Sequence, residues 1–398
     1  MRDRVYAETK LDLAMRGLRL DASARGLVSD ADPLPASLEI VVEDTVRVSV
    51  PLDVSGTAAA PFQLLESGGR CWLTDPLRNG DLRIGVHVPA TPRFYGRRTT
   101  NGVPMRQLAS LLGNHLLVHP GGTCGFSVQG SPCRFCLEGA RGRGDALGSV
   151  ADVVEVVRAA FEDGAAKFVY LNSDAFDPEA GGLVFVTPYV EAIRRHFDTL
   201  VAVQAHPPRS DRWIDWAYAH GVDAISFNLE IFDPHLLDRH CIGRMRYIGH
   251  ERYLDALGHA ATVFPSGTVW SDLVLGLEPA ESTIAGIDRL AALGVLPVLS
   301  ARRTVASPPL DHALLARVLA HLYEAVHQRG INMGWVREVV TGVTPLEAHP
   351  AGITAGLSRA VHGLTRYRLG ALAARSLARF RRRLRVKNVS DSFDSSHL

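Results

Sequence analysis

Three cysteines stand close together in the segment TCGFSVQGSPCRFC: Cys124, Cys133 eight residues further on, and Cys136 after two more. A Cys-x-x-Cys pair lets two thiolates grip one metal centre, and a third cysteine on the same glycine-rich loop can close over it. The count of three matters. Structural zinc is held by four protein ligands, whereas a cubane iron–sulfur cluster on three thiolates keeps one iron open for a substrate or cofactor. His115 and His119, four residues apart just before the loop, could complete a zinc site. From the loop alone, an iron–sulfur cluster, zinc and inert packing all remain open.

The surrounding sequence shows what must position this loop. From about Leu108, apolar and β-branched runs recur: 115–120, 167–172, 200–206, 223–231, 268–277 and 295–301. Between them lie segments of helical period. VADVVEVVRAAFEDG is apolar at 150, 153, 154, 157 and 161, and ESTIAGIDRLAALG closes on Gly294. HALLARVLAHLYEAVHQRG is a third. Six strands alternating with helices predict a parallel sheet with right-handed crossovers, either open and doubly wound or curled into a barrel. In both, ligands gather at the C-terminal ends of the strands. Residues 1–105 read as a β-containing extension whose clearest piece is Ser37 to Leu52, two alternating strands around Asp44. Residues 306–365 read as a helical completion of the core, and 366–398 as a basic helix with a disordered tail.

Bulk properties narrow the function classes. The chain has 398 residues, 46% of them apolar, and a net charge of +1. Nine basic and no acidic residues fall between Arg366 and Lys387, leaving 34 basic against 42 acidic elsewhere. A nucleic-acid-binding surface over the whole molecule is therefore not expected. The basic segment reads as a terminal helix packed on the core, with docking on an acidic partner, an anionic substrate or a membrane surface as the alternative. The first residues are charged and carry no secretory h-region, and no run approaches a membrane span. Five cysteines, an odd number, argue against a disulfide framework. The expected compartment is the cytoplasm.

A three-cysteine loop after the first strand of a βα-repeat domain, with Phe135 before its last cysteine, resembles the radical S-adenosylmethionine (radical SAM) superfamily. The usual first gap there is three residues, and here it is eight. The resemblance spans roughly 108–305 and implies a partial (β/α)6 parallel barrel, with a [4Fe–4S] cluster on Cys124, Cys133 and Cys136. It also assigns the strand ends. Asn172, Ser173 and Asp174 would accept from the methionyl ammonium, which has three donors and no acceptor; the plain alternative is an Asx turn. Asn228 and Glu230, which regular alternation puts on one face above Ser226, resemble the ribose-binding pair of biotin synthase-like members. Gly276 would let backbone pass the adenine. Arg239 or Arg302, with Arg244, Arg246 and Arg303 as further cations, would pair with the methionyl carboxylate. Gln204 and His206 would face substrate or cofactor. Cys241 could donate a hydrogen atom or act as a ligand, or merely pack; Cys71 reads as structural.

The resemblance implies reductive cleavage of SAM to a 5′-deoxyadenosyl radical that abstracts hydrogen from a small molecule, in natural-product biosynthesis by the superfamily's habits. Flavodoxin or ferredoxin would donate the electron. The alternatives are aminocarboxypropyl transfer from SAM and a non-catalytic iron–sulfur or zinc protein.

Overall fold

The computed structural model describes residues 5–28, 37–42, 46–52, 62–74, 83–113, 115–121, 124–136, 148–173, 176–301, 311–334, 336 and 340–349. Asp44, Asp174, Arg302, Arg303 and the basic segment 366–398 lie outside them.

The larger sheet holds seven strands: β7 (Ala109–Leu112), β8 (His115–Val118), β9 (Phe168–Asn172), β10 (Val201–Gln204), β11 (Ala224–Ser226), β12 (Val269–Leu275) and β13 (Leu296–Ala301). They pair in strict chain order, with β8 to β13 all parallel. A doubly wound sheet reverses its order at a switch point. This one does not, so it winds one way, as a barrel does. Curling is visible in one contact. Tyr170 on β9 and Trp270 on β12 have ring centroids 5.7 Å apart, although strands three places apart are roughly 14 Å apart in a flat sheet. Their side is the concave one, and the sheet is a partial (β/α)6 barrel. The six expected strands are present. β7 was not expected; it forms an antiparallel hairpin with β8.

The helices follow from capping and pattern. Val150–Glu162 starts in a reciprocal capping box, Ser149 with Asp152, and buries Val153, Val156, Val157 and Ala160. Ala280–Ala292 ends just before Gly294, whose φ of 81° is left-handed, the conformation of a helix stop. Asp311 caps His312–Gln328 by accepting from two backbone amides. Aliphatic residues on the convex side, such as Val169, Leu171, Val203 and Ile225, share one core with these helices.

The N-terminal region forms a six-stranded sheet of β1 (Leu18–Leu20), β2 (Ser37–Val42), β3 (Val46–Pro51), β4 (Phe62–Ser67), β5 (Arg70–Thr74) and β6 (Arg83–His87), ordered β1-β4-β5-β6-β2-β3. Its core is separate and aliphatic: Ile40, Val46, Val48, Val50, Leu64 and Leu73. The helix Val5–Arg16, hidden in a charged stretch of sequence, serves both cores. Ala7 and Leu11 join the barrel's core, and Leu13 joins the smaller one. Lys10 adds a buried ion pair with Glu347 at 3.0 Å and donates to the Gly342 carbonyl. Next to that carbonyl, Val343 pairs with Leu299 of β13. Among the described residues no helix is long and apolar enough to cross a membrane.

Candidate active site

Register defines the concave face. Paired residues of parallel strands point the same way, so the layer of Trp270 runs through Ser226, Gln204 and Asn172. One layer toward the mouth lie Asp272 and Val298. Where the convex face is aliphatic, this face is polar, and Asn172, Gln204 and Asp272 keep some contact with solvent. Tyr170 Oη donates to Gln204 Oε1 at 2.7 Å. Burial, with Asp272 and Glu230 nearby, pushes the Tyr170 phenol well up, so it remains a donor. Asn172 Nδ2 lies 3.4 Å from His119 Nδ1. Ser173 donates its hydroxyl to the Gly182 carbonyl.

The segment 226–230 departs from regular alternation. Ser226 pairs with Trp270, but Glu230 bridges Leu273, so four steps of chain face three. That extra residue is a bulge, and bulges re-aim side chains beside active sites. Glu230 sits at φ 71°, the one non-glycine residue at positive φ among the described residues, a backbone cost typical of functional positions. Both side chains still arrive at the mouth. Asn228 accepts from the Ser226 hydroxyl and, at 3.4 Å, from the Asp272 amide. Glu230, 3% exposed, pairs through Oε1 with Arg244 Nη2 at 3.3 Å.

Arg244 is the guanidinium that the fold brings inside. It donates to the Asn228 carbonyl, lies 3.2 Å from Tyr253 Oη and is buried. Burial opposes its charge, but Tyr253, Cys133 and Glu230 hold it firmly protonated. Arg239 is exposed on the helix Pro234–His240. Gly276 turns at φ 85° beyond β12, with open space where a Cβ would stand. Glu278, just after it, accepts from the backbone amides of Phe232 and Asp233 and ties β12 to that helix.

The cysteine loop lies over this mouth. Cys124 precedes the short helix Gly125–Val128, and Cys136 N donates to the Cys133 carbonyl at 3.1 Å. All three cysteines are half-buried. Phe126 packs on Phe176 and on His206 at the end of β10. The loop also docks on the segment 240–244: Arg134 N donates to the His240 carbonyl at 2.8 Å, and a Cβ on Gly243 would meet Ser131 O at 2.5 Å. That docking sets Cys241 against Cys133. A hydrogen bond from Cys241, aided by nearby Arg244, lowers the Cys133 thiol to about 6. The same contact, with burial, pushes Cys241 up. Neither histidine completes a zinc set with these cysteines. His115 is fully buried against Phe168, two layers below Asn172, and His119 faces Asn172. Among the described residues no three His, Cys, Asp or Glu groups gather as tightly as one metal ion needs. Three thiols on one loop, one short of the four ligands of structural zinc, are the donor set of a cubane cluster.

Five of the ten buried side-chain polar atoms without a hydrogen-bond partner among the described residues lie here: Asn172 Oδ1, His206 Nδ1, Glu230 Oε2, Arg244 Nε and Ser300 Oγ. Such atoms are rare in folded proteins and demand an explanation. Two are acceptors only, one is a donor only, and the others can play either part. Sequence reading missed Tyr170, Asp272 and Ser300, although stepping back along the same face by two from Asn172 and Arg302, and by four from Gly276, would have found them.

No protein-family model matches the chain, and no curated protein matches it. Solved structures resemble it distantly. Streptococcus suis SuiB is 13% identical with a TM-score of 0.43, over 57% of this chain and 50% of SuiB. Methylornithine synthase (PylB) is 13% identical with a TM-score of 0.41, over 64% and 84%. A radical SAM methyltransferase from Sphaerobacter thermophilus is 16% identical with a TM-score of 0.39, over 73% and 82%. The chain spans about half the length of SuiB. At these levels likeness transfers no function, and the residues must carry it.

Proposed function

We propose that this protein is a radical SAM enzyme whose [4Fe–4S] cluster sits on Cys124, Cys133 and Cys136. The observation that carries the reading is the set of partnerless buried polar atoms at the barrel mouth, directly under a three-cysteine loop. SAM offers an ammonium, a carboxylate and two ribose hydroxyls, and each has a complement there. Asn172 Oδ1, with the Ser173 oxygen and Asp174, accepts from the ammonium. Glu230 Oε2 accepts from a ribose hydroxyl, and Asn228 flanks it. Arg244 Nε is an unpartnered donor on a buried guanidinium, and it suits a carboxylate; Arg239, Arg302 and Arg303 are the other cations the sequence offers for it. Gly276 leaves open space at the end of β12 for the adenine.

When bound, the cluster and SAM supply one-electron cleavage of the S–C5′ bond and a 5′-deoxyadenosyl radical that takes hydrogen from substrate. The chain's own residues hold the methionyl group against the loop and line the barrel with Tyr170, Gln204 and Asp272 to orient a small-molecule substrate. The curled sheet and its helices keep water away from the reacting carbon. A flavodoxin or ferredoxin is the electron donor, and natural-product biosynthesis in the cytoplasm is the setting.

The test is anaerobic reconstitution, SAM titration and product analysis under dithionite. The reading expects 5′-deoxyadenosine and methionine. Methylthioadenosine as the sole enzymatic product would replace it with aminocarboxypropyl transfer. Stoichiometric zinc without iron, in protein purified without oxygen, would end it.

A further inference from the structure

SAM, bound as above, leaves polar groups of the concave face untouched. It takes Asn172 Oδ1, Glu230 Oε2 and Arg244 Nε; His206 Nδ1 and Ser300 Oγ remain without partners. Both side chains are only 8% exposed, and a buried polar atom with nothing to bond costs stability. Register puts Ser300 on the face of Asp272: Asp272 pairs with Val298, and Ser300 lies two residues further along β13. His206 lies two residues beyond Gln204, the end of β10. Its ring meets Phe126 of the cysteine loop edge-on at 4.7 Å. Backbone holds it there. The His206 amide donates to the Gly181 carbonyl at 3.0 Å, and Gly181, at φ 64°, passes too close to the His206 carbonyl to carry a side chain. Gln204 and Asp272 keep contact with solvent. Four polar side chains from β10, β12 and β13 thus border the mouth of the barrel.

Their hydrogen-bonding capacities are mixed. Gln204 Oε1 is taken by Tyr170, so its amide nitrogen is left to donate. The Asp272 carboxylate only accepts. The Ser300 hydroxyl does both, and so does the His206 ring by choice of tautomer. An ammonium has donors alone and would leave the Gln204 amide unmet. A carboxylate or phosphate has acceptors alone and would face Asp272, and among the described strand residues of this face none is lysine or arginine. A planar amide donates and accepts from opposite edges, whereas these groups converge from three strands. Hydroxyls on neighbouring carbons do both and point in different directions. We propose that Gln204, His206, Asp272 and Ser300 form the substrate subsite for an uncharged, polyhydroxylated small molecule, a sugar or a cyclitol. The proposal rests on the SAM reading, which decides the atoms that are left over. Val274 and Val298, on the same face, offer apolar contact to the ring C–H groups.

Anaerobically reconstituted protein saturated with SAM is titrated by calorimetry with methyl α-glucoside, myo-inositol, putrescine, succinate and N-acetylglycine methylamide. At least one of the two polyols should bind about tenfold tighter than the other three compounds, the worth of one good hydrogen bond. Glucoside against inositol tells a sugar site from a cyclitol site. Ser300→Ala and Asp272→Asn, the second of which conserves volume, should each weaken the polyol about tenfold and leave SAM affinity at the wild-type value. Tighter binding of the diamine, the dicarboxylate or the amide overturns the proposal. So does a wild type that binds neither polyol at millimolar concentration, or unchanged polyol affinity in both variants. A wild type without cluster or SAM binding brings down the underlying reading instead, and iron analysis and SAM titration show that before any polyol is added.

Discussion

The two sheets of this chain bury opposite things. The N-terminal sheet turns Ile40, Val46, Val48, Val50, Leu64 and Leu73 into a closed aliphatic core. The barrel sheet puts its aliphatic residues outside, under the helices, and keeps Asn172, Gln204, Asn228, Glu230 and Asp272 on its concave side. A sheet that buries only methyl groups gains stability and has no chemistry to offer. One that lines its interior with amides and carboxylates gives up stability for binding. The cysteines divide in the same way. Cys71 lies on β5 of the small sheet, away from the loop that carries the other chemistry.

The strongest way to break this contrast is through the cysteines. Cys124→Ala, Cys133→Ala and Cys136→Ala should each abolish the cluster, measured as iron and sulfide after anaerobic reconstitution, while Cys71→Ala keeps about four irons. Cluster loss in Cys71→Ala would erase the division of labour. Next in size, Leu64→Ala should lower stability by about 2–5 kcal/mol, as a buried leucine does, yet leave SAM affinity unchanged by calorimetry. Asn228→Ala and Glu230→Ala should do the reverse, retaining the cluster and losing on the order of 1–3 kcal/mol of SAM binding. Wild-type affinity in both would cancel the ribose assignment.

The smallest effects test the stability sacrificed by the concave face. Ser300→Ala removes a buried oxygen that has no partner. Its thermal midpoint should be equal to or above wild type, and a clear fall would show that the oxygen is satisfied within the fold. His206 is held low by burial, then by Arg244. A group depressed in the folded state favours the fold above its unfolded pKa, near about 6.5 for histidine. Acidification through that value should therefore cost stability, and His206→Phe should flatten the loss in urea titrations between neutral and mildly acidic pH.

Much of the barrel was legible because its signals are local. Val150–Glu162 declares itself by a capping serine and a 3.6-residue apolar period, and each β-strand from β8 to β13 by a short β-branched run. The helix Val5–Arg16 was not legible, because its burial is shared between two cores and neither shows in a charged segment read alone. The site divides in the same way. The cysteine spacing and the polar strand ends stand in the sequence. The bulge at 226–230 does not, because an extra residue is defined only against its partner strand. Nor could spacing select Arg244 over Arg239. Only the docking of segment 240–244 on the loop buries the first and leaves the second in water, and the same docking brings Cys241 to Cys133.

The pair Lys10–Glu347 has a consequence for the newborn chain. Its partners are 337 residues apart, so the helix Val5–Arg16 cannot settle until nearly all the described chain exists. At about 5–20 residues per second, it waits roughly 20–70 s with Ala7 and Leu11 exposed. In the last part of that wait, once residues 296–301 exist, the β13 edge has neither Val343 nor the helix beside it, and open strand edges invite pairing with other chains. Closing so long a loop adds little to the equilibrium cost but slows assembly. The helix Val5–Arg16, made long before Glu347, is thus among the last of the described elements to dock, and chaperone demand should concentrate at that step.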